Sequence, residues 1–552
     1  MSKITSYKAE LLDSQYLFLL YNHIMGTTPL SYQLELNGNL SITHLKRALY
    51  YVMLKNPVLM SNFVLAGEGK KFSDYELIVD PSIKPPILMK DISDLESLSQ
   101  TKLIDKEFQD LLNRVWDMHV GSLFAVTVFK CSDKKHCLLL GINHIILDGL
   151  SSIQFLDELF TMYEKLLQRV ELPKYNLEYE LNAYNKKVRR INSYEPISKN
   201  LESYKKSLNS IGKDIFFWNP KQIKNYFFSS KFKNITYKLD KQITTSLLNL
   251  TSIYKVSFYT IILEIYCDIF FQLCKKRLIF QLPTSGKNYQ NVDMNNLMGC
   301  FAQAVTLVAD ENYQNLSYKE KLHYLSDIIT NSLYHEHDHI QTKKMAGFVA
   351  STFTLENGKI TTFGKVLARS LVKTNLYLSY TGVSVLKTKY GGLAIVSYKE
   401  GSNNNTGALD FMHTIFDGKL QISINYDEAF YDDKVINLLV SKIKEKLQKL
   451  LKITLVDMNK QEAKTNYMTN INKATYEKTA TYLVSLLKKL FAIDIKPVDY
   501  NVDLEAGFGL DSLRIISFIS EIIQEQNGKI SPDVLLSCRS LYDFIEKMNM
   551  TI

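Results

Sequence analysis

The sequence has 552 residues, 46% hydrophobic and 22% charged, with a formal net charge of +9. This is an ordinary soluble globular composition, long enough for three or four structural units that each bury a core. The densest basic runs, Lys186-Lys187-Val188-Arg189-Arg190 and Lys275-Lys276-Arg277, are short and belong to no repeated basic-aromatic pattern, so they read as solvated surface and not as a nucleic-acid interface.

Taken in chain order, Met1 to Lys8 lacks the apolar core of a signal peptide. Gln15 to Met25 and Leu45 to Leu54 have helical patterns, and Leu123 to Phe129 alternates as a strand. Cys137 to Ile142 is a nearly continuous apolar run, as in a strand buried on both faces. After it come Asn143-His144-Ile145-Ile146-Leu147-Asp148-Gly149, then Ile153, Leu156, Phe160, Tyr163 and Leu167 at helical spacing. The spacing predicts strand, tight loop, helix, with the His and Asp in the loop. The polar stretch from Tyr175 to Lys213 reads as a connection between two halves.

The longest apolar stretch, Val256 to Leu273, is broken by Glu264 and Asp268, which predicts a buried amphipathic helix and no membrane span. Leu420, Ile422, Ile424 and Tyr426 alternate as a strand, a helix is expected from Asp433 to Leu451, and Val456 to Ala474 reads as a linker. The remainder reads as a small helical bundle. Leu483, Leu487 and Leu490 form one apolar stripe; Leu513, Ile516, Ile519 and Ile523 form another, stopped by Asn527-Gly528. Ser540 and Asp543 have the spacing of a capping box that opens a last helix. Cys131, Cys137, Cys267, Cys274, Cys300 and Cys538 form no CxxC pair, which points to a reduced, cytoplasmic protein.

Two motifs carry chemistry. A neutral imidazole at position 144 can accept or relay a proton, and Asp148 could orient it while Gly149 allows a sharp turn. The same residues also suit a packed His followed by an Asp that caps the next helix. The second motif, Gly509-Leu510-Asp511-Ser512-Leu513, opens an amphipathic helix. There Ser512 could be a plain N-cap, or could hold a phosphodiester stabilised by free N–H groups and the helix dipole.

The segment Leu138 to Phe155, with Ser151 in place, resembles the HHxxxDG motif of the condensation-domain superfamily of nonribosomal peptide synthetases. Other blocks match in order: Leu11 to Leu20 with Ser14 and Gln15; Pro283-Thr284-Ser285-Gly286-Lys287, similar to a loop ending in Gly-Arg; and Leu297 to Leu307, with Gly299 and Phe301 in a GxFVNT-like block. The resemblance covers roughly residues 1–455. The GLDSL block resembles the attachment site of peptidyl and acyl carrier proteins.

The resemblance implies an α/β fold with two chloramphenicol-acetyltransferase-like halves, over 1–175 and 176–455, meeting in a V with a tunnel between them. A linker over 456–474 and a four-helix carrier bundle over 475–552 follow. His144 is then the catalytic residue, Asp148 is structural, and Ser512 bears a covalent phosphopantetheine. Three positions depart from the family: Asn143 replaces its first His, Met60 stands where an Arg usually pairs with the motif Asp, and Gln303 replaces an Asn. A buried Asp148 without the Arg needs another cation or backbone amides.

The implied reaction transfers an acyl group from a thioester, on an upstream carrier or coenzyme A, to an amine on the Ser512 arm. Ester formation, or a silent domain recruiting partners to the carrier, are the other readings. No adenylating domain or phosphate-binding loop appears, so a separate adenylating or acyl-loading enzyme is expected, with a phosphopantetheinyl transferase. His335-Glu336-His337-Asp338-His339 lacks a second ligand set and reads as an exposed polar loop without a structural metal.

Overall fold

The computed structural model describes residues 7–26, 28–194, 231–274, 278–286, 294, 297–309, 311–334, 336–362, 364, 376–384, 386–403, 409–428, 431–465, 473–491, 493, 495–496, 504, 510, 518–519, 521–522, 535, 538 and 540–551. Two six-stranded sheets dominate it.

In the first half, β1 (Tyr7–Ala9), β3 (Ser61–Leu65) and β4 (Tyr75–Val79) form a small sheet. The main sheet uses β2 (Pro29–Asn37), β5 (Ile87–Asp91), β6 (Phe124–Lys130) and β7 (Lys135–Asn143). Strand β7 is buried from His136 to Asn143, as its continuous apolar run predicts, because antiparallel partners β2 and β6 flank it and helices cover the sheet. Helices α1 (Asp13–Met25), α2 (Ile42–Lys55) and α4 (Gly149–Leu167) share its core, while α3 (Ser97–Leu112) packs Phe108 and Leu112 against Phe129 and Leu139.

The stretch expected to connect the halves begins instead as α5 (Leu177–Asn192). Its charges conceal an apolar stripe of Leu181, Tyr184, Val188 and Ile191, all buried in the first core, and Asn185 accepts a hydrogen bond from the Glu10 amide at 2.8 Å. The first half therefore extends beyond residue 175.

In the second half, β8 (Phe232–Lys238), β9 (Leu278–Thr284), β10 (Gln303–Ala309), β13 (Leu376–Val383), β16 (Leu409–Phe416) and β17 (Lys419–Asp427) run in the order β10-β9-β13-β16-β17-β8. A short hairpin, β11 (Leu355–Glu356) and β12 (Lys359–Ile360), lies apart from it. Asp417 and Gly418, at φ 50° and 69°, make the tight two-residue turn between β16 and β17, a sequence pair suited to left-handed conformations at both positions. Helices α6 (Lys241–Tyr254), α7 (Phe258–Cys274) and α8 (Tyr318–Tyr334) fill this core with α10 (Asp433–Thr465).

Helix α10 passes the expected end at Leu451, so the stretch read as a linker starts as helix. Lys460-Gln461-Glu462-Ala463-Lys464 are good helix formers with no Gly or Pro to stop them. The HEHDH segment also differs from expectation. Its described part opens α9 (His337–Thr352), and His337, Asp338 and His339 are buried there; His335 lies outside the described residues. Among the described residues no three potential metal ligands gather, and no single helix is long and apolar enough to cross a membrane.

The contiguous halves of the sequence reading are also crossed. Strands β14 (Lys389–Tyr390) and β15 (Leu393–Ser402) return from the second half to extend the first sheet, β15 pairing antiparallel with β2 from Asn37 to Leu30. Where β15 passes the second sheet, polar groups meet in a buried seam. Asp410 accepts from Ser402 Oγ at 2.6 Å and from Asn425 Nδ2 at 3.2 Å. Glu400 accepts from Tyr398 Oη at 2.9 Å and from Thr414 Oγ1.

In the last part, α11 (Lys473–Phe491) and α12 (Leu541–Thr551) pack Leu483, Leu487, Phe544 and Ile545 into one small core with Leu504, Leu510 and Phe518. Ser540 and Asp543 make the expected reciprocal cap, with Asp543 N donating to Ser540 Oγ at 3.2 Å and Ser540 N to Asp543 Oδ2 at 3.0 Å.

Burial raises the Asp410 carboxyl to about 7, and the neighbouring Glu400 charge adds to it. An acid whose pKa is higher folded than unfolded loses stability as pH rises between the two values. Asp410→Asn should therefore gain on the wild type between about pH 4 and pH 7, by on the order of a few kcal/mol. Urea unfolding of both proteins at pH 5 and pH 8 checks this; a difference independent of pH would remove Asp410 as the titrating group.

Candidate active site

The His144 loop is built by the two elements it joins. Strand β7 ends at Asn143, whose amide pairs with that of Asn22 at 3.0 Å and whose Oδ1 accepts from the Ile145 amide at 3.1 Å. Asp148 is the N-cap of α4, and its Oδ1 accepts from Ser151 N at 2.7 Å. The helix-capping reading of Asp148 is thus correct as far as it goes, but the other oxygen has a different task. Oδ2 accepts from Phe301 N at 2.8 Å, the Asp148 amide donates to Gly299 O at 3.1 Å, and Gly299 N donates to Ser151 Oγ at 3.3 Å.

These bonds answer the question raised by Met60. Among the described residues no Lys or Arg pairs with Asp148, which is 2% exposed; Met60 lies in the first core, 1% exposed. Two backbone amides stand in for the family's Arg, which is the second of the compensations considered from the sequence.

His144 is 6% exposed. Its ring stacks on Phe18, with centroids 4.2 Å apart and planes at 16°, its amide donates to Thr28 O at 2.8 Å, and Nδ1 lies 3.8 Å from Cys300 Sγ. Burial pushes the imidazole down to about 4, against the pull of the Asp148 charge and of a hydrogen bond to its own carbonyl. Burial therefore favours the neutral imidazole at pH 7. Burial also pushes the Cys300 thiol well up, keeping it protonated.

Helix α1 assembles this arrangement from one face. Ser14 Oγ donates to Cys300 O, Gln15 Nε2 donates to Ile145 O at 2.9 Å, and Phe18 covers the imidazole. Ser14 and Gln15 were legible as family positions; Phe18 and Cys300 were missed, although Phe18 falls one helical turn after Ser14.

Gly149 differs from its expected role. Its backbone is not left-handed; a Cβ there would lie 3.6 Å from Thr381 Cγ2 of β13, so the second half approaches the loop at this point. Gly286, at φ +58°, is the glycine that its site requires, since a Cβ would stand 1.7 Å from Phe301 O. Thr284 Oγ1, just before it, donates to Asp338 Oδ2 at 2.7 Å, which gives the buried HEHDH segment a supporting place under this loop. Gln303 opens β10 opposite Thr284.

Ser512 and its neighbours Gly509, Asp511 and Leu513 lie outside the described residues. Leu510 and Phe518, on either side, are buried in the small core, and Leu510 N donates to Leu504 O at 3.0 Å.

The family profile described as "Condensation domain" matches residues 22–475. The chain belongs to the condensation-domain family. A profile described as "Phosphopantetheine attachment site" matches residues 481–547. This is therefore an acyltransferase-type catalytic domain followed by a carrier domain that takes a covalent phosphopantetheine. Bacitracin synthase 3 of Bacillus licheniformis is 18% identical over 92% of this chain, and the hybrid PKS-NRPS synthetase apdA of Emericella nidulans is 28% identical over 29% of it. The chain spans 8% and 4% of their respective lengths.

Among solved structures, the epimerization domain from the third module of tyrocidine synthetase B has a TM-score of 0.61 at 15% identity, covering 83% of this chain and 99% of that one. The first condensation domain of the calcium-dependent antibiotic synthetase has a TM-score of 0.61 at 14% identity, covering 81% and 96%. These likenesses establish the fold. An epimerization domain and a condensation domain share this fold, so the fold alone does not fix the reaction.

Asp148→Ala should cost about 2–4 kcal/mol, from the lost cap and an unpaired buried amide, and should lower turnover as well; chemical denaturation alongside an assay checks both. Gly286→Ala should lower the melting temperature and turnover together, because the Phe301 carbonyl must move while Phe301 N holds Asp148. A variant with wild-type melting and rate would show that the 299–301 loop yields freely.

Proposed function

We propose that this protein joins a thioester-bound acyl group to an amine held on its own carrier arm, forming an amide. The observation that carries the reading is His144, buried at the end of β7 with its ring stacked on Phe18 and its Nδ1 3.8 Å from Cys300 Sγ. The donor thioester is already activated, and a free α-amine has a pKa near 8. The amine nitrogen attacks the thioester carbonyl, the C–N bond forms as the C–S bond breaks, and the amine's proton leaves with the thiolate. Nε2 positions the amine through one N–H and moves that proton. With its basicity lowered by burial, His144 is better suited to this than to deprotonating a hydroxyl, which favours amide over ester formation.

Asp148 holds the loop and takes no proton. Ser512 is the residue assigned to hold the phosphopantetheine, which presents the acceptor as a thioester when bound. The donor comes from an upstream carrier or coenzyme A, the acceptor from a separate adenylating or acyl-loading enzyme, and the arm from a phosphopantetheinyl transferase.

With a pantetheinylated protein, His144→Ala should fold and lose about 10²- to 10⁴-fold in turnover. Retention of wild-type turnover would favour the domain as a recruiter of partners. Ser512→Ala should gain no mass on treatment with a phosphopantetheinyl transferase that converts the wild type. Because the imidazole is uncharged above about pH 4, no loss of rate from His144 is expected between pH 8 and pH 6 beyond that from protonating the amine acceptor. A rate that follows an additional group near pH 6.5 in that range would point to a solvent-exposed, ordinary histidine.

A further inference from the structure

A cleft of about 220 Å³ opens between α7, α8 and α10, formed by residues that His144 does not use. On α10 its wall is Lys442, Glu445, Lys446 and Lys449, a spacing that places all four on one helical face. Its floor is Glu264 of α7, whose side chain is 0% exposed.

Most charges there are matched. Lys446 Nζ bridges Glu264 Oε1 and Asp268 Oδ2, each at 2.8 Å; Lys321 Nζ donates to Asp268 Oδ1 at 2.9 Å; Lys449 pairs with Glu445 at 2.8 Å. Three groups are left over. Glu264 Oε2 and the Tyr318 hydroxyl are buried without a hydrogen-bond partner among the described residues. Lys442 has no ion-pair partner among the described residues either, although it lines the same cleft.

A buried carboxylate oxygen without a donor is costly, and an uncommitted ammonium faces the same space. A ligand that satisfies both needs an anionic oxygen for Lys442 and a donor for Glu264 Oε2. The donor's character follows from its neighbours: an ammonium would be brought against Lys446 and Lys321, whereas a hydroxyl adds no charge and can also bond Tyr318.

We propose that this cleft binds a small anion carrying a hydroxyl group, the anionic end on Lys442 and the hydroxyl on Glu264 and Tyr318. Such a ligand bridges α7, α8 and α10, and so braces α10 along the turns just before the helix continues towards the carrier. The anionic group is a carboxylate or a phosphate, since an ammonium recognises either as a point charge.

The test uses the full chain, isothermal titration and fixed ionic strength. Citrate is compared with tricarballylate, which has the same three carboxylates without the hydroxyl, and glycerol 3-phosphate with propyl phosphate. One hydroxylated probe should bind at least fivefold more tightly than its partner, and the pair that shows the difference identifies the anionic group. Lys442→Ala, at a partly exposed position, should weaken the preferred probe about tenfold. Tyr318→Phe should narrow the preference for the hydroxylated probe. Equal binding within both pairs, an unchanged affinity in Lys442→Ala, or no binding at millimolar probe would overturn the assignment. None of these readouts uses condensation activity, so the result is independent of the role given to His144.

Discussion

The hydrogen bond from Phe301 N to Asp148 is the constraint on which the site rests. The motif loop belongs to the first sheet and the 299–301 loop to the second half, and one buried carboxylate holds both. A carboxylate that accepts two backbone amides is satisfied without a cation, so the usual Arg can be replaced by an apolar Met60 packed in the core. The arrangement exchanges a long, flexible partner for fixed backbone geometry. It also makes the His144 loop depend on the second half being correctly placed, since without Phe301 the Asp148 Oδ2 would be buried and unpaired.

How much of this could be read from the sequence follows from what is local. The β7 run, the α4 periodicity and the HisxxxAspGly loop between them are local patterns, and the structure has them within a residue or two of the expected limits. Helix α5 was missed because twelve of its sixteen residues are not apolar core residues and the stripe of Leu181, Tyr184, Val188 and Ile191 is dispersed among charges. The HEHDH segment was misplaced for the opposite reason: polarity suggested exposure, whereas Asp338 is buried because Thr284 gives it a hydrogen bond. No local pattern could show that Cys300 and Phe18 meet His144, as 156 residues separate the cysteine from the histidine.

The imidazole and the polar seam illustrate the same physics with different outcomes. Burial disfavours charge on both, which keeps His144 neutral and useful as a hydrogen-bond partner, and keeps Asp410 partly protonated as a donor or acceptor within the seam. The environments differ in what surrounds them. His144 has an aromatic face and a thiol beside it, while Asp410 is enclosed by Ser402, Asn425 and the neighbouring Glu400. The first leaves an edge of the ring for chemistry; the second is consumed in joining the sheets.

The return of β15 to the first sheet has a topological consequence. The polypeptide passes between the halves at least twice, once before β8 and again around β15, so the halves are laced and not simply hinged. The β15–β2 ladder keeps a strand that the chain reaches only by way of the second half inside the first sheet. A fragment ending before β8 would expose the β2 edge, an unpaired row of N–H and C=O groups that invites association with other chains. Two units that look separable by sequence therefore share a sheet.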